Sequence, residues 1–174
     1  GVYAIEIEEA QDTAPYAGIR GLEGLIGLVQ RGVLEIHVWG SRADRVQRPD
    51  RLVFDLDPAP DVAWPRVIRA ALRLRLRLAD LGLESFLKTT GGKGLHVHVP
   101  LQRRREWPDA KAFTRGVAEA LVRESPQEFI ATMSKSRRAG KIFIDYLRNG
   151  AGATSIAPYS TRARPGAPVA MPDA

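Results

Sequence analysis

Short runs of alternating apolar and polar residues mark strands, and apolar residues three and four apart mark helices. The first run, "VYAIEIEE", alternates and predicts an edge strand. "GIRGLEGLIGLVQRG" has helical spacing and predicts a helix ending near Gly32. "VLEIHVWGS" predicts a strand over 33–38, closed by Gly40 and Ser41, with Trp39 expected in the core. The polar "RADRVQRPD" reads as a loop, and "RLVFDLDPAP" as a strand over 52–57 ending at Pro58.

The stretch from Asp61 to Leu83 carries two patterns. "LRLRLRL" alternates like a strand, yet it sits in a segment too long for one strand and free of turn signals. A helix is predicted, with Asp61 able to cap it and Pro65 tolerated in its first turn. Leu72, Leu76 and Ala79 would form one face and Leu74, Leu78 and Leu81 the opposite one. Both would need cover, from neighbouring elements or from arginine stems.

Beyond Gly82, "ESFLKTT" and "LHVHVPL" read as strands over 85–89 and 95–99, joined by "GGKG" in a hairpin. "PDAKAFTRGVAEALVRE" predicts a capped helix with Phe113, Val117 and Leu121 on one stripe. A basic loop, "SKSRRAGK", leads to a strand over 142–147, "IFIDYL", and residues 150–174 form a Gly- and Pro-rich tail. There is no internal repeat at a solenoid period. Five strands and two or three helices make an α+β domain, whose strand order the pattern does not give.

Composition narrows the class. With 174 residues, 44% hydrophobic and 26% charged, the chain suits one globular domain or two small lobes. No apolar run approaches the roughly 20 residues of a membrane span, and the acidic start does not read as a signal peptide. The absence of cysteine excludes disulfides and thiolate zinc sites and fits a cytoplasmic protein. A net charge of +6 and a pI near 10.1 point to a polyanionic partner, or to a genome that prefers arginine; charge alone leaves both open.

The candidate chemistry begins at Asp55 and Asp57, which share one strand face because side chains alternate. Two adjacent carboxylates need a proton, an arginine or a divalent cation between them. Salt bridges to Arg51 or Arg66 would serve as well as a metal. A third aspartate, Asp145, also ends an apolar strand, and three strand-borne carboxylates can hold one or two hard cations. In "TTGGKGLHVHV", glycine amides and Lys93 can converge on an anion, although the spacing is not that of a Walker A loop and a plain hairpin turn explains it equally. His96 and His98 share a strand face, His37 stands alone on another strand, and Arg162 and Arg164 lie in a loop as phosphate clamps or as a solvated basic loop.

In order and spacing, "LEIHVWGSR", "PDRLVFDLDPAP", "FLKTTGGKGLHVHVPL" and the run from "MSKSRR" to "RPGAPV" resemble the polymerase domain of bacterial DNA ligase D, in the archaeo-eukaryotic primase superfamily. The resemblance runs from about Gly24 to Val169. It implies a primase-type, RRM-like sheet with helices on one face and the site on the other, where Asp55, Asp57, His96 and Asp145 would converge. It implies Asp55, Asp57 and Asp145 as ligands of two Mg²⁺ or Mn²⁺ ions. Thr90, Gly91, Gly92, Lys93 and His96 fall in its triphosphate loop and pocket, Arg162 at the nucleotide, and His37 beside the active site. The implied function is template-directed addition of NTP or dNTP to a primer 3′-hydroxyl in non-homologous end joining. Implied partners are DNA ends or a primer–template duplex, ligase and nuclease modules, and a Ku-like end-binding protein, in a bacterial cytoplasm and at the nucleoid.

The family's domain has a longer N-terminal portion than is seen here, so residues 1–174 are expected to be a fragment or a minimal catalytic core. Val38 stands where the family commonly has proline, and no K-x-D-G ligase motif is present. Two readings follow: a nucleotidyltransferase, favoured by the intact carboxylates, or a non-catalytic module that binds nucleotide and nucleic acid.

Overall fold

A computed structural model describes residues 1–8 and 13–173. In chain order the elements are β1 (Val2–Glu8), β2 (Thr13–Ile19), α1 (Gly21–Gln30), β3 (His37–Trp39), β4 (Arg51–Pro58), α2 (Trp64–Asp80), β5 (Phe86–Thr89), β6 (Leu95–Pro100), α3 (Trp107–Glu124), β7 (Phe129–Ile130), β8 (Ile142–Asp145) and β9 (Thr154–Ile156). The main sheet has the order β5-β6-β4-β8-β7, antiparallel except for the parallel β7–β8 pair. Two small sheets, β1–β2 and β3–β9, are also antiparallel.

The period-2 pattern of β4 sorts the molecule into layers. Leu52, Phe54 and Leu56 are buried among Leu95, Val97 and Val99 of β6 and Ile142 and Ile144 of β8. Helices α2 and α3 close this core with Val67, Ala70, Leu74 and Leu78 from one and Ala110, Val117, Ala118 and Leu121 from the other. Each large aliphatic side chain taken fully out of water stabilises this packing by about 1.5–3 kcal/mol. The opposite face of the main sheet carries Asp55, Asp57, His96 and His98, as the alternation requires. Among the described residues no helix is long and apolar enough to cross a membrane.

Several expectations change. Helix α2 buries one face only: Leu72 and Leu76 are 50% and 68% exposed and Leu81 is exposed too, while Arg73 and Arg77 are held by Glu124. Asp61 does not cap α2, whose N-cap is Ala63; its carboxylate accepts the Gly140 N–H instead. Helix α3 lacks a side-chain cap, and Phe113 is exposed because the buried stripe runs Ala110, Thr114, Val117 and Leu121.

The strand expected over 33–38 is shorter and later, His37–Trp39, since its partner β9 offers only three residues. Trp39 is half-buried rather than core, with its ring edge-on to Tyr16 at 5.1 Å. The tail contains β9, and it docks Pro172 against Lys88 of β5 through an isolated bridge. Strands β2 and β7 lay outside the predicted set. Glu9, the last residue of the predicted first strand, lies outside the described residues.

One side chain completes the central strand. Val53 of β4 lies beyond the end of β8, and the Asn149 amide takes both of its backbone groups: Oδ1 accepts the Val53 N–H at 2.7 Å and Nδ2 donates to the Val53 carbonyl at 2.7 Å.

Candidate active site

Four register-paired residues cross the open face of the sheet as a row. Lys88 of β5 pairs with His96 of β6, His96 with Asp55 of β4, and Asp55 with Asp145 of β8. Asp57 stands two residues on from Asp55, opposite Phe143. Opposed side chains on one face lie about 4.5–5.5 Å apart at Cβ, so this register alone concentrates the acidic groups.

Cations from loops meet the carboxylates. Arg148, in the 3₁₀ turn just after β8, reaches Asp55 Oδ2 at 3.7 Å and Asp145 Oδ2 at 3.4 Å. Asp145 Oδ1 also accepts the Leu147 N–H at 2.8 Å. Asp57 lies between Lys93 Nζ and Arg138 Nη1, each at 3.0 Å. The Arg138 guanidinium lies 3.9 Å over the Phe143 ring, a stacked position that fixes its approach.

The two paired aspartates titrate in opposite directions. Burial is the largest influence on both and pushes both up. At Asp55 the contact with His96 and the charges of His96, Arg148 and Lys88 outweigh burial and hold the carboxyl below its ordinary value. At Asp145 burial, with the Asp55 charge behind it, prevails over the Leu147 N–H and the charges of Arg148 and Arg138, and its carboxyl is raised. Lys88, 2% exposed, is pressed by burial to about 8 against the pull of Asp55, while its Nζ donates to the Ile156 carbonyl at 2.6 Å.

The hairpin loop forms one wall. The Thr90 hydroxyl accepts the Gly92 N–H and donates to the Gly94 carbonyl, so it shapes the turn. Gly91 has φ +64°, and a Cβ there would meet Arg162 Cγ at 2.7 Å. Arg162 lies across the loop: Nη1 donates to the Thr90 carbonyl at 2.7 Å and Nε to Glu35 Oε1 at 3.0 Å. Glu35 Oε2 pairs with His37 Nε2 at 2.9 Å. The His37 contact, the Ala163 N–H and Arg162 together lower the Glu35 carboxyl to about 2.

These groups enclose an open cleft of about 220 Å³. All the predicted site residues line it except Gly91, which backs the loop, and Asp145, which stands behind Arg148. Arg164 lines it as well. Sequence reasoning missed Arg148, Arg138, Glu35 and Lys88. Arg148 had a local signal, since it follows Asp145 by three residues in a turn, whereas Glu35 and Arg162 are 127 residues apart.

Carboxylate oxygens are the hard donors that Mg²⁺ or Mn²⁺ takes, and Asp55, Asp57 and Asp145 offer them from adjacent positions of two paired strands. In donor chemistry the residues fit such ions. Lys93, Arg138 and Arg148 compete for the same oxygens, and among the described residues no three acidic, histidine or cysteine side chains form a preassembled ligand group.

Residues 2–174 match the family described as LigD, primase-polymerase domain. The chain is 44% identical over 170 residues to the multifunctional non-homologous end joining protein LigD of Pseudomonas aeruginosa, covering 97% of this chain and 20% of that protein. It is 41% identical over 168 residues to the protein of the same name from Mycolicibacterium smegmatis, covering 95% of this chain and 22% of that one. The chain thus spans about a fifth of the length of these relatives. The solved polymerase domain of Mycobacterium tuberculosis Ligase D, in complex with DNA, aligns with a TM-score of 0.92 at 33% identity, over 99% of this chain and 63% of that one.

Proposed function

Because this chain belongs to the LigD primase-polymerase family, we propose that it transfers nucleotides from NTP or dNTP to a primer 3′-hydroxyl under template direction, in the joining of broken DNA ends. The observation that carries this reading is the cleft itself: Asp55 and Asp57 line it together with Lys93, Arg162 and Arg164, and Asp145 pairs with Asp55 from behind Arg148. Carboxylates and cations that line one cleft, with Lys93 3.0 Å from Asp57, suit a nucleoside triphosphate whose reacting phosphorus lies near the aspartates.

The residues present divide the work. Asp55, Asp57 and Asp145 would hold divalent ions; when bound, these supply Lewis-acid activation of the hydroxyl and neutralise charge on the leaving pyrophosphate. Lys93 and Arg162 would supply positive charge to β- and γ-phosphate oxygens, and Gly92 and Gly94 line the same cleft. Lys93 would exchange Asp57 for phosphate as the cleft fills. His96, 4% exposed and 3.6 Å from Asp55, keeps that carboxylate ionised and fixed in direction. Glu35 orients Arg162 and His37 from behind. DNA ends as the template, ligase and nuclease modules and a Ku-like protein as partners, and action in the bacterial cytoplasm all belong to this proposal.

The second reading, a binding module without turnover, draws on the ion pairs, since protein cations already neutralise each carboxylate. Extension of a labelled primer on a gapped duplex bearing a 5′-phosphate, with Mn²⁺ and either nucleotide class, separates the two. Extension that disappears in Asp55→Ala/Asp57→Ala, with DNA binding retained, is expected. Full activity in that double variant would overturn the metal assignment. Nucleotide binding without extension by the wild-type chain would favour the module.

A further inference from the structure

A second cavity, of about 470 Å³, opens on the same sheet face as the acidic row. Its floor lies two and four residues further along β6: His98 pairs with Phe86 of β5, and Pro100 with Arg51 of β4. Leu101, Arg103 and Pro172 form the sides. The Lys88–Ile156 hydrogen bond stands between this cavity and the cleft.

Three independent observations single it out. Among the described residues four buried side-chain nitrogens lack a hydrogen-bond partner, and two of them, His98 Nε2 and Arg103 Nε, are on residues that line this cavity. An unpaired buried polar group is destabilising, and a ligand atom in the right place removes that cost. Arg103 is also a non-glycine residue at φ +56°, a strained backbone of the kind that clusters at ligand clamps. Its Nη2 is anchored on Asp44 at 2.7 Å, so the side chain is held in place with Nε unused. Finally, Phe86, which lines the cavity, is 46% exposed.

The chemistry defines a ligand. Phe86 offers an apolar face on which a planar heterocycle stacks. His98 is neutral, because burial first, then the charges of His96, Lys88 and Arg51, hold its pKa near 3; its ring nitrogen can meet the edge of a base as donor or acceptor. Arg42, Arg51 and Arg103 gather positive charge, of which Asp50 answers part through its pairs with Arg42 and Arg51, and Asp44 part through its pair with Arg103. A flat ring beside an anion is a nucleotide. We infer that this cavity binds a nucleoside monophosphate unit, its base on Phe86 and His98 and its phosphate on Arg103 and Arg42. The unit is either a free nucleotide or the end of a DNA strand held beside the cleft.

The test is binding by calorimetry without divalent ions, which needs no turnover and so stands apart from the primer-extension result. AMP, adenosine and inorganic phosphate are titrated into the wild-type chain, Phe86→Ala, Arg103→Gln and Lys93→Ala. AMP is expected to bind at least tenfold more tightly than adenosine or phosphate. Phe86→Ala and Arg103→Gln should each weaken it about tenfold or more, with ATP affinity of the cleft unchanged. Melting temperatures check folding, and Phe86→Ala alone carries the test if Arg103→Gln does not fold. AMP affinity unaltered in Phe86→Ala, or lost in Lys93→Ala, overturns the site. Phosphate binding as tightly as AMP also overturns it. Displacement of AMP by a short 5′-phosphorylated oligonucleotide assigns the site to a strand end, and lack of displacement assigns it to free nucleotides.

Discussion

Asp55 and Asp145 face each other across β4 and β8, and Arg148 reaches both, yet one carboxyl is lowered and the other raised. The difference comes from position in the row. Asp55 has His96 on its other side and Lys88 beyond, whereas the positive charges near Asp145, Arg148 and Arg138, do not overcome its burial.

A raised Asp145 means that the folded chain holds this proton more tightly than the unfolded chain does. Stability therefore falls as pH rises from the ordinary aspartate value near 3.8 through the raised folded value. Asp145→Asn keeps the oxygen that accepts the Leu147 N–H and removes the buried charge. It should melt a few degrees above the wild type at pH 7, with the gain shrinking toward pH 4, while primer extension falls at least about 100-fold. Thermal melts at the two pH values and an extension assay check this.

Lys88 carries the opposite sign. Its folded pKa of about 8 lies below the ordinary lysine value of 10.5, so the unfolded chain binds the proton more tightly. Stability should rise between pH 8 and 10.5, by at most about 3 kcal/mol, as the buried ammonium becomes an amine that still donates to Ile156. Lys88→Met should lack this rise. Denaturant melts across that pH range compare the two.

Gly94 is a matter of space. A Cβ there would lie 2.5 Å from the Leu56 carbonyl, between Asp55 and Asp57. Backbone cannot rotate aside, so Gly94→Ala should push the hairpin off β4, costing about 2 kcal/mol or more and reducing extension at least tenfold. Chemical denaturation with kinetics checks both.

Glu35 makes a local electrostatic clamp. Glu35→Gln keeps an oxygen for the Ala163 N–H but loses the charge that holds Arg162 and His37. The KM for nucleotide should rise about tenfold with a smaller change in kcat, measured by steady-state extension.

How much of this was written locally in the chain differs from residue to residue. Strands β4, β6 and β8 were legible because period 2 holds on both faces and the polar positions are the site itself. The carboxylates, the glycine loop and Arg162 were legible as motifs. The strand order was not, since β4 meets β8 across 90 positions at Asp55 and Asp145; nor were β9 and the hold of Glu35 on Arg162, pairings of residues more than a hundred positions apart. In α2, "LRLRLRL" satisfied two periods at once, and only packing against β4 and β6 decided that Leu72 and Leu76 face water. The ion pairs of Asp57 were open to several arginines; Arg51 and Arg66 went elsewhere, to Asp50 and the Gly140 carbonyl, and Arg138 arrived from the basic loop.

The amide of Asn149 has a consequence for the path of the chain. By imitating one residue of a neighbouring strand, it seals the flank of β4 at Val53, so β8 is free to stop at Asp145 without stranding donors and acceptors in the interior. A sheet that can end in mid-field has a notch. Into that notch the chain folds Arg148 back over the two aspartates, where an uninterrupted ladder would have carried it past them. The placement of the site's central cation is thus owed to an uncharged side chain that bonds only backbone groups.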